Sequence, residues 1–291
     1  MMSPAARCSA ILLTFVLGVT AFGQTSSKTG SKADPTHSVI GVQLYSFRNE
    51  MKTDLEGTLE KVKAMGFTYI ETGAQSGKSA AEFKALLDKN GLQTVSYFAD
   101  YNKLKSDFAS VVADAKTMNA KYVIVAWIPH QKDFTLADCE LAIKDFNEAG
   151  EKLAKEGLRF AYHIHGYEFV PHGKGTLMDK LMAETKPQFV NVQMDVFWVA
   201  HPGQDPVAFL RKYGKRIRLM HMKDMQKGVK GDLTGHGDVE TNVTIGTGSI
   251  DYETLVRDAK KLGVKYLIIE DESSRSMTQV PASLKYLTSI K

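Results

Sequence analysis

The stretch Arg159–Phe169, RFAYHIHGYEF, decides how the rest of the chain is interpreted. It begins as an apolar strand pattern and ends in side chains of the kind that bind metals or move protons. His163 and His165 are two residues apart, so on a strand both point to the same face. Glu168 follows three residues later, where the strand should give way to a loop. The stretch therefore predicts a buried strand with functional groups at its carboxyl end.

Three later segments have the same form, an apolar run that ends in charged or imidazole side chains. They are VNVQMDVFW with Asp195, IRLMHMKD with His221 and Lys223, and KYLIIEDE with Glu270. Polar groups at the carboxyl ends of several successive parallel strands are typical of the active site of a β/α barrel.

Strand and helix patterns alternate along the chain from Ser38 onward. Near-continuous apolar runs such as Tyr122–Ile128 predict parallel strands that are covered on both faces. Eight such strands alternate with about eight helices, for example Ala80–Lys89, Leu136–Glu156 and Pro206–Tyr213. Strict alternation predicts a parallel sheet with right-handed crossovers. Eight units in roughly 250 residues favour a single closed (β/α)8 barrel of the α/β class over an open sheet.

Several bounds follow from the same patterns. The first strand is predicted as Val39–Phe47 and the second as Thr68–Glu71, and the last two helices as Leu255–Leu262 and Ala282–Ser289. The segment Met225–Ser249 after the seventh strand is long, irregular and rich in Gly and Asp. Its length indicates a functional lid or binding loop rather than a simple connection.

Residues 1–23 are predicted to be a signal peptide rather than part of the fold. A positive residue precedes the apolar run Ala10–Ala21, and a small-x-small cleavage site follows it. The apolar run is shorter than the ~20 residues of a membrane span. Residues 24–37 are polar and predict a disordered linker, so the barrel is expected over residues 38–291. The protein is expected to be periplasmic or secreted, with no stable membrane insertion after signal removal.

Composition limits the partners further. The chain of 291 residues is 43% hydrophobic and 24% charged, which is ordinary for a globular protein. No basic run accompanies the net charge of +4, so nucleic-acid binding is not expected. Cys8 leaves with the signal, and Cys139 lies in a helical pattern, where it is predicted to be a small core residue. A homo-oligomer remains open.

Carboxylates and imidazoles at four strand ends fit a divalent metal site. Asp195 is predicted to be a poor helix cap, because Phe197-Trp198-Val199 comes after it and the next helix is expected to begin only near Asp205. Glu270 ends an apolar strand, where an unpaired carboxylate would be costly. The cysteine count excludes a Cys-type zinc site, whereas mixed oxygen and nitrogen ligands suit Mn²⁺, Co²⁺, Mg²⁺ or carboxylate–His Zn²⁺.

The motifs GVQLYSFR, YHIHGYEF, QMDVFWV, HMKD, GTGSIDY and IIEDE together resemble the sugar phosphate isomerase/epimerase superfamily. Its fold is a xylose isomerase-like TIM barrel, and ketose 3-epimerases and inosose dehydratases are members. The superfamily's metal is typically held by Glu, Asp, His and Glu from strands five to eight. The resemblance implies Asp195, His221 and Glu270 as three metal ligands. It implies Glu168 as the remaining ligand, with His163 as the alternative.

The resemblance also implies proton abstraction next to a sugar carbonyl, with a metal-stabilised enediolate. The candidate acid–base residues are Glu168, Glu270, His165 and Lys223. The candidate substrate-binding residues are His163, Tyr45, Phe47, Trp127 and Trp198. The four aromatic ones could equally be residues that pack the barrel.

The expected activity is that of an exported, metal-dependent sugar isomerase or epimerase with a small sugar or glycoside as substrate. Two departures from ketose epimerases keep open a lyase or hydratase that acts on keto-glycosides or inosose-like substrates. Ketose epimerases have a His three residues after the metal-binding Asp, and this chain has Trp198 at that position. Lys223, close to the metal-binding His, resembles the inosose dehydratase pattern. A non-catalytic carbohydrate-binding barrel is the second alternative, against which the retention of Asp195, His221 and Glu270 argues.

Overall fold

Eight parallel strands close into a barrel in the computed structural model, which describes residues 38–74 and 77–290. Numbered β1 to β8 in chain order, they are Val39–Gln43, Tyr69–Gly73, Gln93–Phe98, Tyr122–Val125, Arg159–His163, Val190–Asp195, Ile217–Met222 and Tyr266–Ile269. Each strand pairs with the strands before and after it, and β8 closes the ring by pairing with β1, where Tyr266 lies opposite Val39. The predicted (β/α)8 barrel is confirmed.

Helices follow the strands in the order predicted. Numbered α1 to α11, they are Arg48–Thr53, Leu55–Ala64, Ala80–Lys89, Tyr101–Ser106, Phe108–Thr117, Leu136–Lys155, Leu177–Glu184, Val196–Ala200, Pro206–Tyr213, Tyr252–Leu262 and Ser276–Ser289. Short 3₁₀ turns span Leu44–Phe47, Tyr167–Phe169 and Val239–Thr241. Two small antiparallel sheets pair Pro171–His172 with Gly175–Thr176 and Asp224–Met225 with Asn242–Val243.

Side-chain caps determine where several helices begin. Ser79 forms a capping box with Glu82 at the start of α3, and Thr135 forms one with Asp138 at the start of α6. Such caps satisfy backbone N–H groups of the first turn and are worth about 1 kcal/mol each. On the apolar face of α6 Cys139 is fully buried, so its predicted role as a small core residue is confirmed.

The interior of the barrel has an apolar layer and, nearer the carboxyl ends of the strands, a polar layer. The apolar layer consists of Val95, Tyr122, Ile124, Ala161, Leu219, Tyr266 and Ile268. In the polar layer Gln43 lies opposite Glu71, and Glu71 lies opposite Ser96. Because side chains alternate between the two faces of a strand, register partners of a parallel ladder point the same way. The ladder therefore gathers these polar groups inside the barrel.

Several predicted bounds need correction. The strand predicted as Tyr122–Ile128 ends at Val125, and the strand predicted as Thr68–Glu71 spans Tyr69–Gly73. Strand β1 ends at Gln43 rather than Phe47, because the Gln43 side chain accepts a hydrogen bond from the Tyr45 N–H and begins a 3₁₀ turn. Helix α10 begins three residues earlier than predicted, because Asp251 caps it. Helix α11 also begins earlier and contains Pro281.

The long segment after β7 leaves and returns through the small sheet formed by Asp224–Met225 and Asn242–Val243. The Asp224 carboxylate holds it by accepting hydrogen bonds from the N–H groups of Met225, Gly246 and Gly248. Within residues 38–74 and 77–290 no helix is both long and apolar enough to cross a membrane. The predicted signal peptide and linker, residues 1–37, lie outside the described residues.

Candidate metal centre

Three buried side chains of metal-ligand type meet at the carboxyl ends of β5, β6 and β7. They are His163, Asp195 and His221, whose possible ligand atoms all lie within 4.8 Å of one another. Asp195 Oδ2 is 3.7 Å from His163 Nε2 and 3.8 Å from His221 Nδ1. Strand register brings them together, because Asp195 pairs with His221 and His163 pairs with Gln193. The barrel strands themselves therefore position the cluster.

The two carboxylate oxygens of Asp195 have different surroundings. Oδ1 accepts a hydrogen bond of 3.1 Å from the Trp198 N–H and so caps α8. The prediction that Asp195 is a poor cap is wrong, because a short helix begins directly after the strand. Oδ2 is buried and has no hydrogen-bond partner among the described residues. A buried oxygen without a partner is costly, and this one faces both imidazoles, which suits a bound cation.

Hydrogen bonds determine which nitrogen of each imidazole faces Asp195. His163 Nδ1 lies 2.8 Å from Gln193 Oε1, so Nδ1 carries the proton and Nε2 presents its lone pair. His221 Nε2 contacts a carboxylate oxygen of Glu71, which leaves Nδ1 on the side of Asp195, where it also lies 3.2 Å from Glu270 Oε2. Metal-binding histidines usually donate their second N–H to such a carbonyl or carboxylate. Both imidazoles are therefore oriented as metal ligands.

A buried ion pair lies beside the cluster. Lys223 Nζ is 3.3 Å from Glu270 Oε2 and also contacts Glu272 Oε1. The same nitrogen lies 5.4 Å from the ring centroid of Phe197 and 5.6 Å from that of Trp198. A lysine that is held by two carboxylates over two aromatic faces is fixed in position and charge.

His163 and His221 of the cluster line a cavity of about 770 Å³ that opens between the strand ends. Predicted site residues that line it are Tyr45, His163, His165, Trp198, His221 and Glu270. A volume of this size lies within the ~300–1,000 Å³ that is usual for small-molecule sites. Tyr45, 54% exposed, lies at the outer part, where the Arg48 guanidinium is 4.6 Å from its ring centroid.

Residues 59–290 match the family model described as a xylose isomerase-like TIM barrel. The chain belongs to this family. An inosose dehydratase of Clostridium botulinum is 24% identical over 281 residues, covering 82% of this chain and 91% of that protein.

Two solved structures share the fold of this family. A sugar phosphate isomerase/epimerase from Parabacteroides distasonis has a TM-score of 0.72 and 23% identity, with 88% of this chain and 100% of that chain covered. The IOLI protein, solved with a binding zinc atom, has a TM-score of 0.66 and 15% identity, with 86% and 95% covered. At these identities the likeness establishes the shared barrel.

Glu71 is a central residue of the candidate metal centre, and the sequence analysis missed it. Its fully buried carboxylate accepts hydrogen bonds from Gln43 Nε2 at 3.2 Å, Gln193 Nε2 at 2.7 Å, Ser96 Oγ and His221 Nε2. The available signal was the same as at the recognised sites, an acid at the end of a predicted strand. Its importance depends on contacts across the barrel that no local pattern records.

Glu168 is not part of the cluster. Its fully buried carboxylate accepts hydrogen bonds from the Tyr162 hydroxyl and, at 3.0 Å, from the His165 N–H, and so stabilises the turn after β5. Glu168 Oε2 has no partner among the described residues, but it is not one of the grouped ligand atoms. Of the two predicted first ligands, the structure brings His163 to Asp195.

Two of the predicted substrate-binding aromatics lie in packed positions and do not line the cavity. Phe47 is fully buried in the hydrophobic core. Trp127 stacks on His130 with 4.9 Å between ring centroids, and His236 of the long loop lies 5.2 Å from it. The structure therefore uses both rings for packing, whereas Tyr45 and Trp198 line the cavity.

His165 is the imidazole of the cavity wall that has an unused nitrogen. Its Nδ1 has no hydrogen-bond partner within the described part of the chain, and its ring centroid is 5.5 Å from that of Trp198. Burial, helped by the charge of Lys223, lowers the pKa of His165 to about 3. The imidazole is therefore neutral, and no described donor engages the lone pair of its buried Nδ1.

Burial and neighbouring charges shift the pKa values within the cluster in opposite directions. Burial lowers the pKa of His163 well below its usual value. Burial raises the pKa of Asp195 to about 7, although Lys223 and His221 oppose the shift. In His221 burial opposes protonation, but the carboxylates of Glu270 and Glu71 outweigh it and raise the pKa to about 10.

The Lys223–Glu270 pair remains charged. Burial acts to lower the pKa of Lys223, but Glu270 and Glu272 outweigh it and raise that pKa above its usual value. Burial acts to raise the pKa of Glu270, but Lys223 and His221 lower it well below its usual value. Lys223 is therefore a permanent hydrogen-bond donor rather than a base.

Proposed function

We propose that the protein is a divalent-metal-dependent lyase that eliminates water or an alcohol from a carbonyl-bearing sugar or inositol-like ring. The observation that carries this proposal is Asp195 Oδ2, a buried oxygen between two imidazoles with no partner among the described residues. A donor set of one carboxylate and two imidazoles suits Zn²⁺, Co²⁺ or Mn²⁺ better than Mg²⁺, which prefers oxygen ligands.

The residues present fit such an ion. His163, Asp195 and His221 would hold it, and the Glu270 carboxylate lies beside them, with Oε2 3.2 Å from His221 Nδ1. A bound divalent ion would polarise the substrate carbonyl and make the neighbouring C–H more acidic. The zinc atom named in the IOLI structure supports a divalent ion in this fold.

His165 is the proposed proton acceptor. Its neutral imidazole lines the cavity and keeps Nδ1 without a partner in the described residues. In the elimination Nδ1 takes the proton from the carbon next to the carbonyl, and the electron pair of that C–H bond forms the new C=C bond. Positioned bases of this kind contribute typically ~10²–10⁴-fold to a rate.

Lys223 is the proposed hydrogen-bond donor to the leaving oxygen, and it keeps its proton throughout. As the C=C bond forms, the C–O bond at the following carbon breaks, and the departing oxygen takes the proton that His165 has removed, while Lys223 Nζ donates a hydrogen bond to it. The products are an α,β-unsaturated carbonyl and water or an alcohol. His165 is then neutral again and Lys223 is unchanged, so that no oxidant or reductant is consumed.

Elimination is favoured over epimerisation by the groups at β5. Epimerisation requires proton transfer on both faces of one carbon, and ketose epimerases carry a Glu on the fifth strand where this chain has His163. His163 is held by Gln193 at Nδ1 and faces Asp195 at Nε2, and the Glu168 carboxylate is bound by Tyr162. The similarity to an inosose dehydratase over most of both chains also supports elimination.

Product analysis tests the proposal. The purified protein is loaded separately with Zn²⁺, Co²⁺ and Mn²⁺ and incubated in D₂O with an inosose and with a 3-keto glycoside. A lyase gives the ultraviolet absorbance of an unsaturated carbonyl and releases water or the alcohol. A deuterated epimer without any unsaturated product would refute elimination and support the isomerase alternative. Binding without turnover for every metal would support a non-catalytic barrel.

We also propose that the enzyme acts outside the cytoplasm, which makes free or glycosidic sugars more suitable substrates than phosphorylated ones. This proposal is supported by the N-terminal apolar run and the cleavage site at Ala21-Phe22-Gly23. Sequencing of the protein recovered from an exporting cell should find a chain that begins near Gln24, and recovery of Met1 would refute export.

A further inference from the structure

We propose that Glu71 is a positioning residue that decides which nitrogen of both His163 and His221 is open to a metal ion. One carboxylate on β2 reaches His221 directly and reaches His163 through the amide of Gln193. The inference rests on the proposed metal site, but it concerns Glu71 and Gln193, to which the resemblance assigns no role.

Each oxygen of Glu71 accepts two hydrogen bonds. Oε1 accepts from Ser96 Oγ and, at 2.7 Å, from Gln193 Nε2, and Oε2 accepts from His221 Nε2 and, at 3.2 Å, from Gln43 Nε2. All four partners approach as donors, and the carboxylate is fully buried, away from competing water. Only an ionised carboxylate offers acceptors in all four directions.

The path to His163 runs through one amide. Because Gln193 Nε2 donates to Glu71, the opposite atom of that amide, Oε1, must face His163 Nδ1, from which it lies 2.8 Å. A carbonyl oxygen can only accept, so His163 Nδ1 carries the proton. The lone pair of His163 is then at Nε2, on the side of Asp195 Oδ2.

Replacement of Glu71 by glutamine exposes this dependence, because an amide has one acceptor and one donor. If its NH₂ takes the place of Oε2, it faces His221 Nε2, which must then accept, so the one proton that a neutral His221 carries stays on Nδ1, beside Glu270 Oε2. Gln43 cannot relieve this conflict by turning its amide, since its Oε1 already accepts from the Tyr45 N–H at 3.1 Å.

The other orientation of the glutamine changes the tautomer of His163 instead of that of His221. If the NH₂ takes the place of Oε1, the Ser96 hydroxyl can rotate to accept from it, but the Gln193 amide has to turn over. Its NH₂ then faces His163 Nδ1, and the proton of His163 moves to Nε2. In either orientation one histidine presents an N–H to the metal position, so Glu71→Gln disables one of two ligands.

Zinc titration and ¹⁵N NMR of the imidazole nitrogens test this role. In the parent protein, Zn²⁺ binding should change the ¹⁵N chemical shifts of His221 Nδ1 and His163 Nε2 as direct ligands. Glu71→Gln should weaken Zn²⁺ binding by ~10–100-fold, as removal of outer-shell partners usually does, and in the presence of Zn²⁺ one imidazole should still keep a proton on the nitrogen that faces Asp195. Gln193→Met should affect the tautomer of His163 and leave that of His221 unchanged.

The matched control is Glu168→Gln, which neutralises another fully buried glutamate that hydrogen bonds to Tyr162 and the His165 backbone rather than to either imidazole. It should bind Zn²⁺ like the parent. Unchanged zinc affinity and unchanged tautomers in Glu71→Gln would overturn the proposal, as would equal weakening in Glu168→Gln.

Two further outcomes have defined meanings. If Glu71→Gln does not fold, Gln193→Met decides. Loss of the Nδ1 proton of His163, with His221 unchanged, supports the path from Glu71 through Gln193. Retention of that proton overturns it. If the parent protein does not bind Zn²⁺, the proposed metal function fails, and the tautomer of His163 in the metal-free protein still tests the path through Gln193.

Discussion

Replacement of Asp195 separates its two roles, because its oxygens do different things. Asp195→Asn keeps an oxygen that can accept from the Trp198 N–H and cap α8, since asparagine caps about as well as aspartate. It removes the negative charge that faces His163 and His221. Asp195→Ala removes both the cap and the charge.

The two effects differ in size and in how they depend on metal. Loss of the cap should cost about 1 kcal/mol of unfolding free energy, which is a fall of roughly 2–4 °C in Tm for a domain of this size. At a metal concentration of about 100 times its Kd, binding stabilises the parent by ~2.7 kcal/mol, or roughly 5–11 °C by the same relation. Asp195→Asn should match the Tm of the metal-free parent and lose the metal-dependent gain, whereas Asp195→Ala should melt lower and also lose it.

Thermal unfolding with and without Zn²⁺, Co²⁺ and Mn²⁺, together with metal analysis after dialysis, measures both effects. His221→Ala provides the comparison, since it removes a proposed ligand without touching the cap. If Asp195→Asn retains metal and its stabilisation at the level of the parent, Asp195 is not a ligand and the ion is held elsewhere.

Three other substitutions and one labelling experiment have defined outcomes. His165→Gln should retain metal and lower kcat by ~10²–10⁴-fold if Nδ1 accepts the proton, as measured in steady-state kinetics of the metal-loaded enzyme. Lys223→Met should also retain metal by dialysis and metal analysis, while turnover falls because the leaving oxygen loses its hydrogen-bond donor. Tyr45→Ala should raise KM more than it lowers kcat, since the ring lies at the outer part of the cavity. Cys139 should react with a thiol reagent only after unfolding, followed by absorbance, because it is fully buried and burial raises its pKa to about 12.

The barrel and the strand-end residues are predictable because they depend on local pattern. A parallel strand that is covered on both faces is an apolar run, so a polar residue at its end, such as Asp195, His221 or Glu270, stands out from the sequence alone. Position on a strand also points correctly to His163 as inward-facing, since Tyr162 occupies the opposite face and packs against α6 through Phe146.

What the sequence does not reveal depends on contacts between distant residues or on turn geometry. Glu71 and His221 are 150 residues apart, and only the register of the closed barrel joins them. The direction of the Glu168 carboxylate depends on Gly166, whose φ of 91° turns the chain after His165. The cap at Asp195 was missed because α8 has only five residues, too few for a periodic pattern.

Charge balance at the carboxyl end of the barrel connects these observations. Each buried carboxylate there costs several kcal/mol unless it is paired, and the described cations are few. Lys223 lies between Glu270 and Glu272, and protonated His221 lies between Glu71 and Glu270. Asp195 is left with one oxygen that no described donor reaches.

In the metal-free protein protons offset part of this excess of acids, since the pKa values of Asp195 and His221 are raised to about 7 and about 10. A divalent ion needs the same atoms without their protons, because metal ligands must be deprotonated. Protons and metal therefore compete for one set of sites. The network that centres on Glu71 decides the outcome at each histidine, because it keeps a proton on the nitrogen that faces away from Asp195 and leaves the other nitrogen for the ion.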